Sequence, residues 1–112
     1  MLRGEIYLAN LDPISGSEQG GTRPVLVVSR NALNANAPIV IVLPLTSREN
    51  KRRLYPTHFV LRASDSGLSK DSVVLCEQVR TISQARLVKR IGAVAPVRML
   101  EIGDTLKIAL DL

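Results

Sequence analysis

The stretch Ser15-Gly16-Ser17-Glu18-Gln19-Gly20-Gly21-Thr22-Arg23-Pro24, continuing into Val25-Leu26-Val27-Val28, is a polar loop that runs without a break into an apolar segment. That segment shows no alternation of apolar and polar residues, the pattern of a strand covered on both faces. Pro24 stands at its start, where a missing N–H is tolerated, and the adjacent Gly20 and Gly21 give the loop access to conformations closed to other residues. A long loop is therefore pinned to a buried strand. It brings a carboxylate (Glu18), a guanidinium (Arg23), an amide (Gln19) and two hydroxyls (Ser17, Thr22) beside that strand. A solvated hairpin loop would carry the same residues, and at this point both readings stand.

Working outward, Glu5 to Leu11 reads as a first strand closed by the Asp12-Pro13 turn signal. The second strand runs from Pro24 to Ser29, and Asn31 to Asn36 forms a short irregular or helical link. A third strand spans Pro38 to Leu43, with Pro44-Leu45-Thr46-Ser47 closing it. Arg48 to Leu54 is a basic loop, and Thr57 to Leu61 forms a fourth strand after Pro56. Beyond the turn Ser64-Asp65-Ser66-Gly67, a fifth strand starts at Ser72 and runs through Cys76 on to Ile82. Ser83 to Leu87 makes one helical turn, and Val88 to Val94 is the last strand. After Pro96 the period changes: Met99, Ile102, Gly103, Leu106 and Leu110 form the stripe of an amphipathic helix, with Glu101 and Asp104 facing away. Short strands ending in one helix predict a mainly β fold, a small, strongly bent sheet or barrel with the helix packed on it. The 112 residues suit a single domain over positions 1–112.

Composition narrows the chemistry. Fifteen Lys and Arg against ten Asp and Glu leave a formal net charge of +5, which favours a polyanionic partner. Two tyrosines and one phenylalanine are too few for a broad base-stacking platform, so a nucleic acid would be held mainly by its phosphates. With one His and one Cys, the clustered ligands of a protein-held metal are not in view, and no cofactor is expected. The lone Cys76 lies in an apolar strand, where thiols are inert, and the lone His58 reads as a structural or surface residue. No apolar run approaches the length of a membrane span, and no apolar core follows Met1-Leu2-Arg3-Gly4-Glu5, so a cytoplasmic protein is expected. The glycines match neither a P-loop nor a dinucleotide fingerprint, because they lead into a strand. If the second and third strands pair antiparallel, Arg23 and Thr46 share one edge of the sheet. A guanidinium fork and a hydroxyl there, with a loop carboxylate, make an anion site.

Three segments together resemble the MazF/PemK family of toxin–antitoxin endoribonucleases. They are Arg3-Gly4-Glu5-Ile6-Tyr7 through Leu11-Asp12-Pro13 and Gly16-Ser17-Glu18-Gln19-Gly20 to Val28; Pro44-Leu45-Thr46-Ser47; and Glu77-Gln78-Val79-Arg80-Thr81-Ile82 with Arg86-Leu87. The resemblance covers essentially the whole chain. It implies an SH3-like small barrel, a homodimer, and metal-independent, sequence-selective cleavage of single-stranded RNA, chiefly messenger RNA. By position it implies Arg23 and Thr46 as catalytic arginine and threonine and Glu18 as an acid/base residue. Ser17, Gln19, Glu77 and Gln78 fall at positions near bound RNA; Ser47, Lys51 and Arg52 are further candidates for RNA contact. A cognate antitoxin with a disordered acidic tail is the implied partner. Tyr7 stands where many relatives carry tryptophan, and Ile14 and Ser15 are small. Two other functions remain open on this fold: a gyrase poison acting through its C-terminal tail, and an RNA-binding module without catalysis.

Overall fold

The computed structural model describes every residue except Ile14 and Arg52. Seven strands, β1 (Glu5–Asn10), β2 (Thr22–Val27), β3 (Ile39–Ser47), β4 (His58–Leu61), β5 (Ser72–Leu75), β6 (Arg80–Ser83) and β7 (Leu87–Ala93), precede a terminal helix. A short helix α1 (Asn31–Asn36) links β2 to β3, and α2 (Pro96–Leu110) closes the chain. The strands join in the order β4-β5-β3-β2-β1-β7, with β6 also paired to β3, and all pairings are antiparallel. The mainly β architecture with a C-terminal helix is the one expected from the sequence.

The unbroken apolar run of β2 has a direct physical cause. Val25 and Val27 enter one apolar cluster with Ala9, Leu11, Val40, Val42 and Ile82. Leu26 and Val28 enter the other, with Ile6, Leu43, Leu45 and Ile102. Both faces of the strand are covered, so nothing selects for alternation. The α2 helix lies over the second of these clusters through Met99, Ile102, Leu106 and Ala109. Pro96 suits its first turn, where an N–H would have no partner. Leu110, expected to finish the stripe, is 46% exposed, and Ala109 makes the final contact in its place.

Two strand assignments change. β3 does not stop before Pro44 but continues through it to Ser47, because the segment pairs with a different partner after the proline. Val40 and Val42 face β6, at Ile82 and Arg80, whereas Leu45, Thr46 and Ser47 face β5, at Val74, Val73 and Ser72. The expected long strand from Ser72 to Ile82 is correspondingly two strands on one track along β3. Between them Cys76–Gln78 forms a 3-10 turn, opposite Leu43 and Pro44. Proline offers no ladder donor, and the neighbouring chain leaves the ladder at this point, carrying Glu77 and Gln78 out of the sheet.

The gap between the outer strands β4 and β7 is spanned by the loop after β4. Ala93 donates its N–H to the Ser66 carbonyl at 3.1 Å, so close that a Cβ on the neighbouring Gly92 would lie 2.4 Å from the same oxygen. Only glycine fits there. None of the helices is long and apolar enough to cross a membrane, counting the described residues.

Candidate active site

β2 and β3 run antiparallel with Val25 opposite Pro44, so the start of one strand lies beside the end of the other. Arg23 and Thr46 consequently line one cavity of about 340 Å³, together with Ser47, Asn50, Lys70 and Asp71. Thr46 is 8% exposed; Arg23 is half-buried. The Arg23 Nε–H donates to the Gly20 carbonyl at 2.9 Å. This bond restrains the guanidinium, whose terminal nitrogens carry a fork of donors of the kind that fits an anion.

The loop contributes to a second cavity, of about 400 Å³, through Ser17 and Glu18, which line it with Glu77, Gln78, Val79 and Arg80. Glu18 is exposed and its carboxylate accepts the Ser15 N–H at 3.1 Å. It is thus not among the residues lining the Arg23–Thr46 cavity, which the antiparallel pairing alone could not reveal. The two halves of the loop serve different cavities.

The segment carried out of the sheet by the break opposite Pro44 holds the loop. The Gln19 N–H donates to the Gln78 Oε1 at 2.8 Å. Gln19 buries its own Oε1 without a partner. Arg80 Nη1 donates to the Leu11 carbonyl at 3.3 Å, and Arg86 Nη1 donates to the carbonyls of Asn10 and Asp12. Residues far apart in sequence thus hold the N-terminal end of the loop and Gln19.

Glu77 has a partner that no spacing signals. His58, with a side chain only 1% exposed, contacts the Glu77 Oε2 through Nε2 at 3.1 Å, while its Nδ1 accepts the Tyr55 N–H at 3.1 Å. A nitrogen that accepts has no proton, so the neutral ring carries its proton on Nε2 and donates it to Glu77. His58 is structural, as read from sequence. Cys76, the buried first residue of the same turn, has its thiol pushed up to about 12, first by burial and then by the charge of Glu77, in keeping with an inert thiol.

The basic loop is less unified than its sequence. Arg48 turns back onto the Lys51 carbonyl, and the Arg53 guanidinium lies 5.5 Å over the Tyr55 ring. Arg52 lies outside the described residues. The loop contributes Asn50, not Lys51, to the Arg23–Thr46 cavity. Asn50, Lys70 and Asp71 were not singled out in sequence. The last two reach the cavity because β5 pairs with the end of β3, a long-range pairing with no local signal.

Comparison with known proteins agrees with this geometry. Residues 2–110 match the model of the PemK-like, MazF-like toxins of type II toxin–antitoxin systems. The chain is 42% identical to the endoribonuclease MazF of Staphylococcus saprophyticus over 112 residues, which is all of this chain and 92% of that protein. Among solved structures, a mycobacterial endoribonuclease in complex with its cognate antitoxin superposes with a TM-score of 0.82 at 31% identity, covering 100% of this chain and 96% of that one. MazF from Deinococcus radiodurans gives a TM-score of 0.84 at 27% identity, covering 100% and 97%. Three motifs in the expected order, a sheet that joins Arg23 to Thr46, and these likenesses over the full length place the chain in the family of PemK-like, MazF-like toxins of type II toxin–antitoxin systems.

Proposed function

We propose that this chain, acting as one domain over residues 1–112, is a sequence-specific endoribonuclease that cuts single-stranded RNA, chiefly messenger RNA, without a metal ion. The observation that carries the proposal is the meeting of Arg23 and Thr46 in one cavity at the joined ends of β2 and β3. The relatives support it: one is an endoribonuclease by name, and another is an endoribonuclease in complex with its cognate antitoxin.

The chemistry follows from what these groups can do. The donors this site offers the phosphate are the Arg23 guanidinium and the Thr46 hydroxyl. The nucleophile is the substrate's own 2′-hydroxyl. Its oxygen attacks the adjacent phosphorus, the bond to the 5′-oxygen breaks as that oxygen takes a proton from solvent, and the products are a 2′,3′-cyclic phosphate and a 5′-hydroxyl. Arg23, always protonated, stabilises the negative charge that builds on the phosphorane oxygens, and the Thr46 hydroxyl orients one of them. Glu18 takes the 2′-hydroxyl proton as general base, its exposed carboxylate being carried on the loop to within hydrogen-bond reach of the scissile phosphate when RNA binds. Ser17, Gln19, Glu77 and Gln78 contact the RNA around the second cavity, and Ser47, Lys51 and Arg52 are further RNA contacts. The net charge of +5 favours both RNA and the acidic tail of a cognate antitoxin, which covers the same site. The toxin acts as a homodimer in the cytoplasm, where its substrate is.

Incubation of the purified protein with single-stranded RNA in excess chelator, followed by sequencing of the cleaved ends, tests this reading. Cyclic-phosphate and 5′-hydroxyl ends at a repeated sequence are expected, with the all-DNA analogue left intact. Cleavage only after a divalent metal is added would overturn the mechanism, and RNA retention without cleavage would make the chain a binding module.

A further inference from the structure

We infer that Asp12 is a positioning residue for Arg23, acting through the single peptide unit between Gly20 and Gly21; the inference rests on the reading of Arg23 given above. The Asp12 Oδ1 accepts the Gly21 N–H at 2.9 Å. The carbonyl of that same peptide unit belongs to Gly20, and it accepts the Arg23 Nε–H at 2.9 Å. A peptide unit is planar and stiff, so its two ends cannot be aimed independently. A carboxylate that fixes the N–H end therefore fixes the direction of the carbonyl at the other end, and with it the plane of the guanidinium.

Three further observations show that this unit is held and not merely touched. Gly21 has a φ of +72°, a left-handed conformation that a side chain at this position would resist, and which turns its N–H towards Asp12. The Gly21 carbonyl in turn accepts the Leu11 N–H at 2.9 Å, so the residue is tied on both sides to the end of β1. Asp12 is itself anchored: its N–H donates to the Asn10 Oδ1 at 3.1 Å, and its carbonyl accepts from Arg86. Among the described residues, Ser15 to Gly20 make only two hydrogen bonds outside their own segment, Gln19 to Gln78 and Gly20 to Arg23. The loop itself is thus poorly placed to aim Gly20 unaided. The bonds at the two ends of the unit also polarise one another, since an N–H donating to a carboxylate makes its carbonyl a better acceptor for a cation.

Asp12 does not line the Arg23–Thr46 cavity, so its role separates from substrate binding. The decisive experiment measures the single-turnover rate on one transcript and affinity for the 2′-O-methyl form of that RNA, which binds without being cut. Asp12→Ala should lower the rate by about 10- to 100-fold, the scale of a misaligned catalytic group, while affinity stays unchanged. Asp12→Asn, which keeps an oxygen acceptor for Gly21, should restore most of the rate. A structural role alone would lower the melting temperature with no rescue of rate by asparagine. In the unsubstituted protein, NMR should show slow solvent exchange at the Gly21 N–H and at the Arg23 Nε–H, both becoming fast in Asp12→Ala. Fast exchange at both sites in the unsubstituted protein would overturn the inference even if Asp12→Ala did not fold. Arg23→Ala serves as the separate control. If it cuts normally, the reading of Arg23 fails; if it is silent while Asp12→Ala cuts like the parent, only the relay fails.

Discussion

Replacing Arg23 by lysine keeps the positive charge and removes the fork, so it asks whether geometry or charge alone acts on the phosphate. The guanidinium has five N–H donors. One, on Nε, is committed to the Gly20 carbonyl at 2.9 Å, and those on the two terminal nitrogens remain for the substrate. A lysine ammonium has neither the second nitrogen nor the Nε anchor, so at least one pre-aimed donor to the phosphorane is lost. Loss of one such donor costs about 10²–10³ in rate, equivalent to about 2.7–4 kcal/mol of transition-state stabilisation. The cost to folding is smaller, because the one intramolecular bond lost, to Gly20, is worth about 0.5–1.5 kcal/mol net. Single-turnover cleavage of an end-labelled transcript, measured beside a thermal melt, separates the two. Lysine at this position should leave a folded protein, melting within several degrees of the parent, with the rate down by roughly two to three orders of magnitude. A lysine variant that cuts at close to the parental rate would refute the role given to the fork, and a rate loss matched by unfolding would leave the effect to stability.

Thr46→Val is close to isosteric at a site only 8% exposed, and deleting the hydroxyl proposed to bond the phosphate should lower the single-turnover rate by about 10- to 100-fold with the fold intact; parental rates would remove Thr46 from the mechanism. Gly92→Ala places a Cβ 2.4 Å from the Ser66 carbonyl, a backbone clash that should cost roughly 1–3 kcal/mol in urea unfolding, and an unchanged midpoint would show that the loop after β4 yields freely. Cys76 supplies a pH dependence. Its thiol is raised from 9.0 to about 12 in the folded chain, so above pH 9.0 the unfolded chain loses this proton while the folded chain keeps it. Stability is therefore intact below that pH and falls as pH rises towards 12, and Cys76→Ala should flatten this alkaline limb of the unfolding curve. An alkaline limb of the same slope in that variant would assign it to other groups.

Local chemistry was enough to determine a good deal of this protein. The all-apolar run of Val25 to Val28 meant a strand covered on both faces, and it is so, because both clusters need that strand. Pro96 and the three- and four-residue spacing of Met99, Ile102 and Leu106 meant a packed helix, since periodicity depends only on the chain's own geometry. The antiparallel neighbourhood of Arg23 and Thr46 was also legible, as two apolar segments joined by a short link of asparagines have little other way to pair. What tertiary structure alone decided is which distant groups face them. Pro44 does not end β3, because the strand exchanges β6 for β5 as its neighbour and the lost donor is absorbed by a turn in the facing chain. That turn puts Gln78 on the loop, and the same pairing brings Lys70 and Asp71 to the cavity. Glu18 goes to a different cavity from Arg23 because the peptide units between them are held by Asp12 and Gln78. The bond from Gln19 to Gln78, 59 positions away, leaves no periodic trace in sequence, and the shorter-range bonds of Arg23 to Gly20 and of Gly21 to Asp12 form only once the chain has folded back on itself at the end of β1.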